Sequence, residues 1–235
     1  MAILSLAAGD STPTKASKIL RCLLLANKDV SELIAASKEA KQIKAAYKRI
    51  IRTDTDIRTA VKAWLEDPIE AEKAYGHISH WKVSAVTNMS ELFWGARSFN
   101  QPLSGWDVSA VTDMSRMFGY ARSFNQPLSG WDVSAVTDMS RMFYCASSFN
   151  QPLSGRDVSG VTNMSHMFYG ASSFNQDLSG WDVSGVTNMS HMFYGAMRFK
   201  QYLSDWNVSA VTDLNRSMVR CPSNTACHWS YASRI

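Results

Sequence analysis

The chain has 235 residues, 46% hydrophobic and 19% charged, a balance that excludes a disordered tail or a fibrous chain and leaves enough apolar side chain for a sizeable core. The formal charge of +4 is evenly spread: residues 1–76 hold 13 basic and 10 acidic side chains, leaving 11 and 10 for the rest, so neither part is the basic footprint of a nucleic-acid binder. No apolar run approaches the roughly 18 to 20 residues that span a bilayer.

The first residues, Met1 to Gly9, lack a basic stretch and carry only a short apolar one, so an intracellular location is expected, with the cell surface or secretion as the alternative. Residues 1–55 read as a helical N-terminal region. Ile19, Leu20, Leu23 and Leu24, then Leu33 and Ile34, then Ile43, Tyr47, Ile50 and Ile51 recur at helical spacing, interrupted at Asn27 to Asp29. Lys28 to Ile34 followed by Ile43 to Arg49 resembles the first two helices of a J domain. No His-Pro-Asp follows Arg52, where Thr53-Asp-Thr-Asp stands instead, and in J domains that tripeptide engages the ATPase chaperone. The resemblance therefore implies a degenerate J domain and, as an alternative function, a chaperone adaptor.

Residues 56–77 read as a capping helix and lead-in. Ile57, Val61, Trp64 and Leu65 share a helical face after Asp54 and Asp56, and Pro68 separates them from an expected turn over Ile69 to Tyr75.

From Ile78 to Cys221 a 25-residue period dominates, which is the signature of a repeat architecture. Leu103, Leu128, Leu153, Leu178 and Leu203 are in register, as are Phe99, Phe124, Phe149, Phe174 and Phe199. Valine columns start at Val83 and Val86, and a methionine column runs from Met89 to Met189 and ends in Leu214. About five and a half units fit. Within one unit Trp106 and Val108 alternate around Asp107, which predicts a short strand, while Met114, Met117, Phe118 and Ala121 follow three-and-four spacing, which predicts a short helix capped by Thr112 or Asp113. One unit cannot bury its apolar face alone, so copies must stack, strands about 4.8 Å apart. The expected fold class is α/β, a leucine-rich-repeat-like solenoid with an N-terminal α-helical cap. Asn100, Asn125, Asn150 and Asn175 are expected to form a turn ladder that satisfies backbone groups.

The phrase Trp-Asp-Val-Ser-x-Val-Thr-Asp/Asn-Met-Ser-x-Met-Phe-x-x-Ala-x-x-Phe-Asn-Gln, over roughly Asp56 to Cys221, resembles the repeat of BspA-like leucine-rich-repeat surface proteins. That resemblance implies a solenoid used for contact and brings no catalytic residues. At the far end Ser217, Met218 and Cys221 replace column residues, and residues 222–235 read as an irregular tail.

No Gly-rich phosphate loop, nucleophile elbow or His-Glu-x-x-His is present. Near-identical layers do not supply the single unlike constellation that an active site needs, so no enzyme, cofactor or metal is expected. His166 and His191 share a column with Arg116 and Arg141, which reads as an exposed helix face. Cys22, Cys145, Cys221 and Cys227 have no zinc or disulfide spacing and are expected reduced, although Cys221 and Cys227 could close a small loop. Asn88, Asn163, Asn188 and Asn207 head glycosylation triplets, but the first three share a column with Asp113, Asp138 and Asp213, so helix capping is the stronger reading there.

The candidate partner-binding face is the column Asp107, Asp132, Asp157 and Asp182, flanked by Ser109, Ser134, Ser159 and Ser184. Four carboxylates about 5 Å apart repel by under about 1 kcal/mol per neighbour in water, which a basic partner or a cation would relieve. The alternative is that each Asp bonds its neighbouring Ser. Arg156 interrupts the Trp column between Trp131 and Trp181 and is expected to stack on the indoles or to reach toward the face of Asp157. Exposed terminal layers could also join copies end to end.

Overall fold

The computed structural model describes residues 40–215. The early helices, most of the J-domain-like segment, the decay of the pattern at Ser217 to Cys221, the Cys221 and Cys227 pair and the tail lie outside the described residues. The described chain begins with helix α1 (Ala40–Ile50) and strand β1 (Ile51–Thr53), followed by helices α2 (Ile57–Glu66) and α3 (Pro68–Tyr75). A single 3-10 turn (Ile78–His80) then leads to strand β2 (Lys82–Ala85). The two strands pair in parallel, Ile51 opposite Lys82 and Thr53 opposite Ala85, with a register shift between.

Two expectations for the lead-in need correction. Residues 68–75 form a helix, not a turn, because the Asp67 carboxylate accepts from the N–H groups of Ile69 (3.0 Å) and Glu70 (3.2 Å) and Pro68 sits in the first turn, where its missing N–H costs nothing. Gly76, at φ 74°, ends it, and the Arg49 guanidinium donates to the last carbonyls, those of Glu72, Lys73 and Ala74. On α2, Ile57, Ala60, Val61 and Trp64 are buried, but Leu65 is 42% exposed, since one step past Trp64 rotates a side chain about 100° off the buried stripe.

Arg52, in β1, is a buried cation with three kinds of support. It pairs with Asp56 at 2.6 Å, donates to the Arg49 carbonyl, and lies over the rings of Tyr75 and Trp81 at 5.1 and 5.4 Å. The ion pair and π faces offset a desolvation that would otherwise be prohibitive.

From β2 onward each 25-residue unit lies on the next. Isolated parallel bridges join Asn88, Asp113, Asp138, Asn163, Asn188 and Asp213 in order. Phe93, Phe118, Phe143, Phe168 and Phe193 form one file with ring centroids 5.4 to 5.7 Å apart. Phe99, Phe124, Phe149, Phe174 and Phe199 form another at 5.8 to 6.0 Å. Within a coil the two files meet at about 4 Å, as between Phe118 and Phe124. Burial of each such ring is worth roughly 1.5 to 3 kcal/mol.

Polar ladders run outside this core. Each Thr N–H donates to the Thr carbonyl one coil earlier, as Thr112 to Thr87 (2.8 Å) and Thr137 to Thr112 (2.9 Å). The Asn file does what its spacing predicts. Asn100 Oδ1 accepts from the Asn125 N–H, Asn125 from Asn150, Asn150 from Asn175 and Asn175 from Lys200, at 2.8 to 2.9 Å, while Gln151, Gln176 and Gln201 brace the later rungs.

The expected strand is found only in the first coil, where β2 contains Val83 of the Val108 column, and the expected helix is found in none of the described units. Trp106 and Val108 are buried and Asp107 exposed, yet their backbone only closes turns, such as Trp106 N–H to Leu103 O. The segment expected as a helix is where the coils pair. Met114, Arg116, Phe118 and Tyr120 donate to Asp138, Ser140, Met142 and Tyr144 of the next coil. Left-handed backbone at Arg116 (φ 58°) and Tyr120 (φ 58°) recurs at Glu91, Arg141, Cys145, His166 and His191, and it rules out a right-handed helix. Alternate N–H groups close i to i−3 turns while the others cross between coils, so the strain is offset by complete pairing.

Candidate functional site

All eight residues of the expected face, Asp107, Ser109, Asp132, Ser134, Asp157, Ser159, Asp182 and Ser184, are exposed. Each Asp also closes an Asx turn on its own Ser: Asp107 Oδ1 accepts the Ser109 N–H at 3.2 Å and its hydroxyl at 2.6 Å. Asp132 and Asp157 repeat this, and Asp182 accepts the Ser184 N–H. The Ser159 hydroxyl holds the Asp157 carboxyl below the usual carboxylate range although Asp132 and Asp182 push it upward. Local hydrogen bonding thus outweighs the neighbouring repulsion at Asp157. The carboxylates are simultaneously structural and presented to solvent.

A second surface was not legible as such in the sequence. Trp94, Tyr120, Tyr144, Tyr169 and Tyr194 form a continuous ladder, with Trp94 edge-on to Tyr120 at 5.0 Å and Tyr144 stacked on Tyr169 at 4.7 Å. Tyr169 and Tyr194 follow at 5.1 Å. Trp94 and Tyr194 are about 40% exposed, and the middle rings are half-buried. Burial pushes the Tyr144 hydroxyl up to about 12. The file skips between two adjacent columns, since Gly119 stands where a tyrosine would be. A Cβ on Gly119 would lie 2.2 Å from the Trp94 indole, so Trp94 spans the gap and stacks on Tyr144 at 6.2 Å. The tyrosines at 144, 169 and 194 were a readable signal, and the bridging by Trp94 was not.

Beside this ladder run Glu91, Arg116, Arg141, His166 and His191. Glu91 and Arg116 form an ion pair. His166 and His191 stack at 4.7 Å with an interplanar angle of 9°, and the Nδ1 atoms of both are buried without a partner. Their column is a left-handed turn, not the helix expected, and it is exposed at Glu91 and Arg116 but half-buried at Arg141, His166 and His191. Burial and the neighbouring Arg141 lower the His166 pKa. Among the described residues no three His, Cys, Asp or Glu side chains converge as a metal-ligand set.

Arg156 makes neither of the contacts expected of it. Its guanidinium donates to the carbonyls of Trp131 (2.7 Å) and Leu128 (2.9 Å). The second bond replaces the one that every neighbouring tryptophan makes: Trp131 to Leu103 O, Trp181 to Leu153 O and Trp206 to Leu178 O. What Arg156 cannot replace is the indole volume, and an apolar cavity of about 30 Å³ remains among Leu128, Trp131, Leu153 and Trp181. Asn88, Asn163 and Asn188 accept the N–H of Ser90, Ser165 and Ser190, so they close Asx turns where helix caps were expected. Cys145 is a free thiol, half-buried, with its pKa raised by burial.

Coils in a fixed 25-residue register, each contributing one rung to every file, make this a repeat protein. The chain belongs to the family described as Mycoplasma protein of unknown function, DUF285, whose model matches residues 68–161 and again 131–227, together more than half of the chain. No curated protein and no solved structure matches it. No helix among the described residues is long and apolar enough to cross a membrane.

Proposed function

We propose that this chain is a non-catalytic protein–protein interaction module, a leucine-rich-repeat-like solenoid of the BspA-like kind, closed at its N-terminal end by helices and offering a rigid ladder face to a protein partner. The observation that carries this reading is the Asp107, Asp132, Asp157 and Asp182 file. Each carboxylate is fixed by its own serine turn and still exposed, so a partner meets preorganised charge and loses little side-chain entropy in binding it. The chemistry of such a face selects a basic protein surface.

The test is affinity capture with the full chain, wild type against the four aspartates changed to lysine and against the same four changed to asparagine. Asparagine keeps the turn acceptor and removes the charge. Loss of the same basic prey from both variants supports the reading. Retention of every prey by both rejects this face.

A further inference from the structure

The acidic file has its counterpart on the same molecule. Asp107, Asp132, Asp157 and Asp182 stand one per coil over four consecutive coils, and so do Arg116, Arg141, His166 and His191. Both files take their pitch from one backbone, about 4.8 Å per paired coil, and the 4.7 Å separation of the two imidazoles reports it directly. A displacement that sets one donor group of this file against one carboxylate therefore sets all four.

The bonding left open on each file is complementary. The aspartates engage their serines through Oδ1, and among the described residues no donor is bonded to Oδ2. On the basic side, no carboxylate pairs with Arg141 among the described residues, whereas Arg116 shares Glu91. Nδ1 of His166 and of His191 is buried without a partner, which favours the tautomer with the proton on Nε2 and makes that nitrogen the donor. The adjoining Trp94 to Tyr194 ladder supplies the arginine, tyrosine and tryptophan mixture in which interface cores are enriched. Tyr144, Tyr169 and Tyr194 stack face to face, which leaves edges and hydroxyls of the inner rings for contact and disfavours a base or sugar that needs an open ring face there.

We infer that the partner fitting the aspartate file is a second copy of this chain, docked side by side, with the Arg116 to His191 file of one copy against the Asp107 to Asp182 file of the next. The inference rests on the reading of the aspartate file as a docking face. The contact joins unlike surfaces, so a copy bound through one file alone still presents the other, through which a further copy can add.

Sedimentation velocity of the full chain over a concentration series, at low salt and at about 0.5 M salt, tests it. The expected result is a mass that grows with concentration at low salt and returns to the monomer at high salt. One variant changes the four aspartates to asparagine, and the other carries Arg116→Gln and Arg141→Gln. Each alone should self-associate at least about tenfold more weakly, while an equimolar mixture should form a one-to-one pair and nothing longer, because each retains the file the other lacks. Circular dichroism identical to wild type establishes that both variants are folded. A wild-type chain that stays monomeric throughout, a variant that assembles as wild type does, or a mixture that fails to combine overturns the inference. A monomeric chain whose aspartate variants still lose a basic foreign partner overturns only this inference and leaves the proposed function standing. Self-assembly with no foreign partner captured does the reverse.

Discussion

Asp54 holds Thr87 in the way that Thr87 holds Thr112. Asp54 Oδ1 accepts the Thr87 N–H at 2.9 Å and Oδ2 accepts its hydroxyl at 2.7 Å. One coil on, the Thr87 carbonyl accepts the Thr112 N–H at 2.8 Å and its hydroxyl at 3.3 Å. A carboxylate thus stands in for the carbonyl of a coil that does not precede the array. Arg58 completes the closure, donating to the Ser90 carbonyl and to Asn88 Oδ1.

Asp54→Ala leaves the Thr87 and Asn88 N–H groups without that acceptor and is expected to cost about 1 to 2 kcal/mol. Asp54→Asn, which keeps one acceptor oxygen, should cost less. The Thr87 hydroxyl holds the Asp54 carboxyl below its ordinary value. Its contribution is therefore fully present above a pH of about 4 and is lost as pH falls through the lower folded-state pKa. Urea midpoints at neutral and acid pH check both statements, and the Asp54→Ala deficit should shrink in acid.

Arg156→Trp should stabilise the array. The indole Nε1 can donate to Leu128 O as its neighbours donate to theirs, and filling the 30 Å³ void recovers about 0.7 kcal/mol at the usual cavity coefficient. Relief of the partly buried guanidinium brings the expected gain to about 1 to 2 kcal/mol. Arg156→Ala should lose both carbonyl bonds and enlarge the void, for a loss of about 2 to 3 kcal/mol. Thermal denaturation of the three proteins should order them Trp, Arg, Ala.

Gly119→Ala drives a methyl group into the Trp94 indole, which lies 2.2 Å from the ideal Cβ position. The indole must leave its place on Tyr144, with an expected cost of about 1 to 3 kcal/mol. A fluorescence difference between Gly119→Ala and wild type that disappears when both also carry Trp94→Phe would assign the change to this ring.

Asn150 both donates to Asn125 Oδ1 and accepts from the Asn175 N–H, and Gln176 reaches it as well. Asn150→Ala orphans a half-enclosed N–H in mid-array and should cost about 1 to 3 kcal/mol. Asn150→Asp keeps the acceptor and should retain most of the stability at neutral pH, which chemical denaturation can measure.

His166 is held mainly by burial, with Arg141 and His191 adding to the effect, in a state that resists protonation. The unfolded chain binds its proton first, so the stabilising difference is complete above a pH of about 6.5 and declines as pH drops toward the lower folded-state value. Replacing His166 with Gln should flatten this limb of a stability profile while leaving the carboxylate limb near pH 4 in place.

The 25-residue register, the identity of the buried columns and the Asn ladder were legible in the amino-acid sequence, because identical residues at a fixed interval can bury their apolar faces only against their own copies. The conformation inside each unit was not. The spacing of Met114, Met117, Phe118 and Ala121 satisfies a helix, and nothing in Arg116 or Tyr120 announces a positive φ, although Gly95, Gly170 and Gly195 in the Tyr120 column were a partial sign. Only the stacked structure decided it, since the left-handed residues are tolerated where alternate N–H groups find carbonyls one coil away. The same is true of Asp54, Arg156 and the Trp94 bridge over Gly119. Each is a single departure from the pattern whose partner lies in another coil or outside the array, and distance along the chain carries no trace of that contact.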